Sequence, residues 1–311
     1  MTTYIARRLL QAIPVLLMVS MMVFVIIRLK GDPVLMLVPD WYTEEQVQSV
    51  RQAYGFDKPI HIQYLEFLGR AVQGDFGRSF RNRQPAWDLV KAALPNTAML
   101  AAAALLIGIV VSVPLGIISA LKRNSPIDLF VTMISVGGRA LPSFWLGLML
   151  MLLFGVTLRW LPVSGTGAVS GEAPIKHLIL PAVTLATALI TTLTRLIRSS
   201  MLEVIREDYV TTARSKGVRE TTILFRHVLR NALIPVVTVL GLNIAWLLGG
   251  AVIIEQVFAW PGMGRLMVQA IFARDNSIVQ AGLFVTSLII IISNLGVDIL
   301  YTVIDPRIRY S

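Results

Sequence analysis

Long apolar runs separated by short polar ones set the rhythm of this chain. Leu9 to Ile27 is the first, 19 residues long, against the roughly 20 that a helix needs to cross a bilayer core. Arg7 and Arg8 precede it, and Arg28, Leu29 and Lys30 follow where a signal peptide would carry a small-residue cleavage site. It therefore reads as a retained span over residues 1–30, with its amino terminus inside. Further runs cover Ala98 to Leu121, Leu129 to Leu158, Leu178 to Leu196, Ala232 to Ile254 and Ile278 to Ile304. The fold class is then an all-α membrane protein with six transmembrane helices and both termini cytoplasmic.

The third run is too long for one untilted crossing, and GGRALP (Gly137 to Pro142) interrupts it. Arg139, inside that interruption, is the only Lys or Arg placed at membrane depth. Two readings stand: it faces a solute pathway, or a shifted boundary leaves it at the interface. Asn243, inside the fifth run, either bonds to a neighbouring helix or lines a pathway. In the same run Gly241, Gly249, Gly250 and Ala251 suit close helix packing.

Residues 31–96 break the apolar rhythm and predict a helical extracytoplasmic insert. TEEQVQSVRQAYG has a Thr43/Gln46 capping box and a stop at Gly55. HIQYLEFLGRAVQG and AWDLVKAAL also show helical spacing. Residues 97–305 then form a core of five spans, and EQVFAWPGMGRLMVQAIFARDNS reads as an outer re-entrant or interfacial connection.

The core is divided by a charged segment, about 198–232. With Arg195 and Arg198, the stretch to Pro235 carries eight basic residues. Its pattern is helical. Asp208 is placed as the cap of a short helix reaching Lys216, with Arg214 and Lys216 in the last turn and Gly217 as a left-handed terminator. A second amphipathic run follows, with Ile223, Val228, Leu229 and Ala232 on one side and Arg226, Arg230 and Asn231 more exposed. The segment is either a folded docking platform or a solvated basic loop held inside by charge.

Charge counting sets the orientation. Arg7, Arg8, Lys122, Arg123, the eight of the central segment, Arg307 and Arg309 fall inside; Arg159, Lys176, Arg265 and Arg274 fall outside. Composition agrees with a polytopic protein. Hydrophobic residues make up 55% and charged residues 15%, against about 25% charged in soluble domains; mean hydropathy is +0.71. The net charge of +10 does not imply nucleic acid, because the basic residues punctuate apolar runs. There is no cysteine, and His61, His177 and His227 are far apart, so no metal site is expected.

The run DYVTTARSKGV…LFRHVLRNALIPVVT closely resembles the cytoplasmic coupling loop of ATP-binding-cassette importer permeases. The subfamily is the one that moves dipeptides, oligopeptides, glutathione or nickel. YIARRLLQAIP, QGDFGRSF, IIEQVFAWPGMGRL and VIDPRIRY extend the resemblance through nearly the whole chain. The general family loop reads Glu-Ala-Ala, three residues, Gly, nine residues, Ile-x-Leu-Pro. Here those positions hold Thr211, Thr212 and Ala213, then His227, Val228, Leu229 and Arg230, with the proline later at Pro235. The resemblance implies an ATPase-coupling role for Glu207, Asp208, Tyr209, Ala213, Arg214, Lys216 and Gly217. It also implies a bacterial inner-membrane location and several partners: a second homologous permease chain as a heterodimer, two ATP-binding subunits and an extracytoplasmic solute-binding protein, besides lipid.

No G-x-x-x-x-G-K-[ST] phosphate loop occurs, so ATP and Mg are expected on the partner subunits and no cofactor on this chain. The alternative is a self-sufficient secondary transporter or channel, a class that often carries intramembrane acids or broken helices to bind coupling ions. No mid-membrane Asp or Glu is evident, and six spans without a clear internal repeat are a weak fit. An intramembrane enzyme would need a paired-carboxylate, His-Glu or Ser-Lys set within the spans, which is also missing. Peptide, glutathione, nickel complex and opine all remain open as solute.

Overall fold

The computed structural model describes residues 2–29, 34, 41–53, 55–167 and 173–304, without the side chains of 2–9, 27–29, 244–246, 248 and 298–304. Arg7, Arg8 and Asp298 as side chains, and Asp305, Pro306, Arg307 and Arg309 altogether, lie outside the described residues. The described chain is helical, with no β-strand and one isolated bridge, Arg78 to Pro85. By contact it divides into two units, 1–95 with 262–295 and 96–261 with 296–311.

The first unit contains α1 (Thr2–Leu29), α2 (Glu44–Ala53), α3 (Ile60–Val72) and α11 (Met263–Phe272). In α2 the capping box forms in both directions: the Gln46 amide donates to Thr43 Oγ1, and the Thr43 amide donates to Gln46 Oε1. Gly55 ends this helix at φ +68°. Its core is aromatic. Phe24 meets Tyr64 edge-on at 5.4 Å, and Phe76 lies 5.5 Å from Phe284 and 6.0 Å from Trp87, separations at which ring quadrupoles attract.

The third helical stretch of the insert is not a separate element. AWDLVKAAL forms the first turns of α4 (Ala86–Leu121), a single 36-residue helix that continues through Pro95 into the second span. Helix propagation costs less than stopping and renucleating, and Asn96 and Thr97, which could cap a new helix after Pro95, spend their side chains on Pro261 O and Glu255 Oε1 instead.

The second unit is built around α7 (Pro174–Val204). Its most apolar window is 61% buried, against 22% for α4, so α7 is the helix the others surround. α5 (Pro126–Ala140), α6 (Ser143–Thr157) and α10 (Ile234–Val257) pack on it. α4 approaches it closely at Gly116, where a Cβ would lie 2.7 Å from Ile197 Cβ. In α10, Gly241 makes the same kind of contact with Val297, but Gly249 faces open space and takes no part in packing.

The interruption at GGRALP is a sharp corner. α5 and α6 meet at 107°, so 129–158 is not one continuous rod. Leu141 is extended at φ −85°, ψ 132°, as a residue preceding proline prefers, and Pro142 takes the N-cap position of α6. The last half of α6, Met151–Thr157, winds as a π-helix.

Among the described residues three helices, α4, α7 and α12 (Asn276–Ile304), are each long and apolar enough to cross a membrane. Two bent pairs, α5 with α6 and α9 (Glu220–Ala232) with the start of α10, raise that to five if each pair is one span. In α1 the described side chains form an apolar stretch over Leu10–Ile26.

Candidate functional site

Two places in the second unit collect the residues singled out by sequence: a charged platform after α7 and a polar cavity beside the α5–α6 corner.

The platform consists of α8 (Asp208–Ser215) and α9. Asp208 does not cap α8. Glu207 occupies the N-cap position, extended at φ −67°, ψ 145°, and neither side chain bonds a free amide there; Asp208 stands one residue later, where its charge still favours the helix dipole. The other end has a fully formed stop. Gly217 sits at φ +74°, its N–H donates to Arg214 O at 2.9 Å, and the Val218 N–H donates to Ala213 O at 3.2 Å. These are the paired bonds of a Schellman motif, with Lys216 as the C-cap.

Only Val210 of α8 is fully buried, with Ala213 packed partly against the core. Glu207, Asp208, Tyr209, Arg214 and Lys216 are exposed. In α9, Ile223, Val228 and Ala232 are buried. Residues five apart point about 140° apart on an α-helix, yet Ile223 and Val228 both reach the core because 223–229 winds as a π-helix with an i→i+5 register.

The two helices are tied to each other. Arg214 Nε donates to Glu220 Oε1 at 2.7 Å. That hydrogen bond raises the guanidinium above its already high pKa, so the cation is permanent. Both partners are exposed, so this pair fixes orientation and adds little stability. Asn231 Nδ2 donates to Tyr209 Oη at 2.8 Å and to His227 O at 2.9 Å. The platform is folded, which a merely solvated basic loop would not need.

Sequence reading missed the anchor of this platform. Arg198, counted there as one of its basic residues, is instead paired with Asp128. Arg198 Nε donates to Asp128 Oδ1 at 2.7 Å, and Nη2 donates to Oδ2 at 2.8 Å. Ser119 Oγ and the Asn124 amide donate to the same carboxylate. Asp128 is 4% exposed, and it joins the end of α4, the start of α5 and α7 six residues before α7 ends. Arg198, three positions after Arg195, reads as one more basic residue, because pairing across 70 positions leaves no local pattern.

The cavity has a volume of about 420 Å³ and is lined by Arg139, Ser143, Thr184, Thr187, Thr192 and Asn243 among others. Arg139 and Asn243, 104 positions apart in sequence, thus share one space. Asn243 Nδ2 donates to Val239 O of its own helix at 2.7 Å, so it is not a bridge to a neighbouring helix. No cluster of three metal-ligating side chains occurs among the described residues.

A family model for the binding-protein-dependent transport system inner membrane component matches residues 112–310, and its N-terminal companion matches 1–101. The chain belongs to the family of binding-protein-dependent transport system inner membrane components. It is 42% identical to the oligopeptide transport system permease protein AppB of Bacillus subtilis (strain 168) over the whole of both chains. It is 41% identical to the di/tripeptide transport system permease protein DppB of Pseudomonas aeruginosa (strain UCBPP-PA14), and 40% to the glutathione transport system permease protein GsiC of Escherichia coli (strain K12), again with 100% of each covered. Among solved structures, an inward-facing form of the MetNI methionine ABC transporter has the same fold, with a TM-score of 0.55 at 16% identity, covering 70% of this chain and 96% of that one.

As a member of this family the chain is a permease subunit of an ATP-binding-cassette importer in the bacterial inner membrane. It is not itself an enzyme, and it works with ATPase and binding-protein partners. This decides against the self-sufficient transporter or channel.

Proposed function

We propose that the solute is a small peptide or a close relative such as glutathione, and that this chain forms half of its translocation pathway. The observation that carries this reading is end-to-end identity of 40–42% to three permeases whose names specify oligopeptides, di- and tripeptides, or glutathione. In this reading the chain has six spans with both termini cytoplasmic, and residues 31–96 face outward. It pairs with a second, homologous permease chain as a heterodimer. Two ATP-binding subunits, which hold ATP and Mg, dock on the platform around Glu207, Asp208, Tyr209, Ala213, Arg214, Lys216 and Gly217. The solute-binding protein delivers its load from outside, and ATP-driven closure of the ATPases moves α8 and α9 and so reorients the spans. Arg139 and Asn243 lie on the pathway.

The test is ATP-dependent uptake of a labelled tripeptide by the complete complex in proteoliposomes, with a binding protein supplied outside. Uptake that proceeds without ATP, or peptide that is never imported, overturns the reading.

Topology can be checked separately, because the chain has no cysteine and single cysteines can be introduced without background. Ser49→Cys should react with an impermeant thiol reagent in intact cells with a permeabilised outer envelope. Ser215→Cys should react only after the inner membrane is opened. Both positions are suited to this, since Ser49 lies on α2 and Ser215 on the exposed face of α8. The reverse pattern would invert the orientation.

A further inference from the structure

The polar groups around the 420 Å³ cavity are of two opposite kinds, and they come from different helices. On the α5–α6 side the charge is positive. Arg139, in the last turn of α5, has no hydrogen bond or ion pair with any described residue. Ser143 begins α6, and no side chain caps that helix, so its first N–H groups and the positive end of its dipole add to the same corner.

On the α7 side the hydroxyl protons are already committed. Thr184 Oγ1 donates to Leu180 O at 2.7 Å, Thr187 to Val183 O at 2.9 Å and Thr192 to Ala188 O at 3.0 Å. A hydroxyl has one proton, so what these three turn toward the cavity is lone pairs. Asn243 gives one Nδ2 proton to Val239 O and keeps Oδ1 as an acceptor, together with its second N–H. No Asp or Glu is among the described residues that line the space.

A cavity with an unpaired cation at one side and mostly neutral acceptors at the other complements a molecule that carries an anion at one end and N–H donors along the rest. A peptide zwitterion has that pattern. We infer that the cavity holds the solute in one orientation, its α-carboxylate on Arg139 and the α6 N-terminus, its amide N–H groups and ammonium on the threonine and Asn243 oxygens. This rests on the peptide reading above and goes further: it makes the free carboxylate the group this permease recognises. Guanidinium and carboxylate form paired charge-assisted bonds that an amide cannot reproduce, and the volume lies within the ~300–1,000 Å³ of small-molecule sites.

The experiment measures binding of trialanine and of trialanine C-terminal amide to the assembled transporter in nanodiscs, with no binding protein present, by saturation-transfer NMR titration. The wild type should bind the free acid at least tenfold more tightly than the amide. Arg139→Gln should weaken the acid to the level of the amide and leave the amide unchanged, while Arg139→Lys keeps part of the preference. Equal binding of both forms by the wild type, binding of neither, or equal weakening of both by Arg139→Gln overturns the inference. ATP-driven peptide uptake by the complete system is a separate readout, so failure here leaves the proposed function distinguishable from it.

Discussion

Asp128→Ala should lower the thermal stability of the purified permease more than any single change on its platform. The substitution leaves Arg198 without its carboxylate and strands the Ser119 hydroxyl and the Asn124 amide as donors. Breaking a buried ion pair by removing one partner costs roughly 3–5 kcal/mol; because the Arg198 side chain is 28% exposed, water can reach it in part, and about 3 kcal/mol is the expected loss. The midpoint of thermal aggregation in detergent should fall accordingly. Asp128→Ala with Arg198→Met should recover a good part of it, since both charges are then gone and the methionine stem still covers apolar surface. Wild-type stability in the single variant, or no recovery in the double, would show that the pair does not hold α4, α5 and α7 together.

Gly217→Val should abolish coupled uptake while leaving insertion and abundance near normal. A Cβ at this position would meet nothing within 4 Å, so the cost comes from the backbone alone. At φ +74° an L-residue pays roughly 1–2 kcal/mol, and a β-branched one is the worst case. That is too little to unfold a bundle of membrane helices. It is enough to undo the two Schellman bonds and change the angle between α8 and α9, which on the proposed reading must fit an ATPase surface. Asn tolerates the left-handed region better than Val, so Gly217→Asn should retain most uptake. Thr221→Ala, at an exposed position on α9, should behave as wild type. The measurement is peptide uptake together with ATP hydrolysis in reconstituted complexes. Normal coupling in Gly217→Val would remove this turn from the transmission.

Much of the architecture was legible because the signals that specify it are local. Apolar runs of span length, the Thr43/Gln46 capping box, the left-handed stop at Gly217 and the break at Pro142 each depend on residues a few positions apart, and each is a property of the backbone and its immediate neighbours. The family could be read for a related reason: its motifs are short and contiguous. Local signals also misled in two places. Asp208 has the right chemistry for a cap, but the chain enters the helix one residue earlier, at Glu207. AWDLVKAAL looked self-contained, but the helix runs on through Pro95 into the second span, because Asn96 and Thr97 bond elsewhere rather than capping a new start.

What only the tertiary structure decided is long-range. Asp128 and Arg198 are 70 positions apart, and nothing near either marks it as half of a pair. The amphipathic pattern puts Ile223 and Val228 on one side of a helix, yet α-helical geometry sets them about 140° apart; the π-helical register of 223–229 is what brings both to the core. The cavity is the largest such case. Sequence could mark Arg139 as a cation at membrane depth and Asn243 as a polar group in a span, but whether they faced the same space depended on a 107° corner and on how α5, α6 and α10 pack around α7. Nor could sequence show that the threonines of α7 had already spent their protons on their own helix, because that depends on side-chain rotamers set by packing. Local chemistry determined the elements; the pairing of distant groups, and with it the polarity of the cavity, came from the packing.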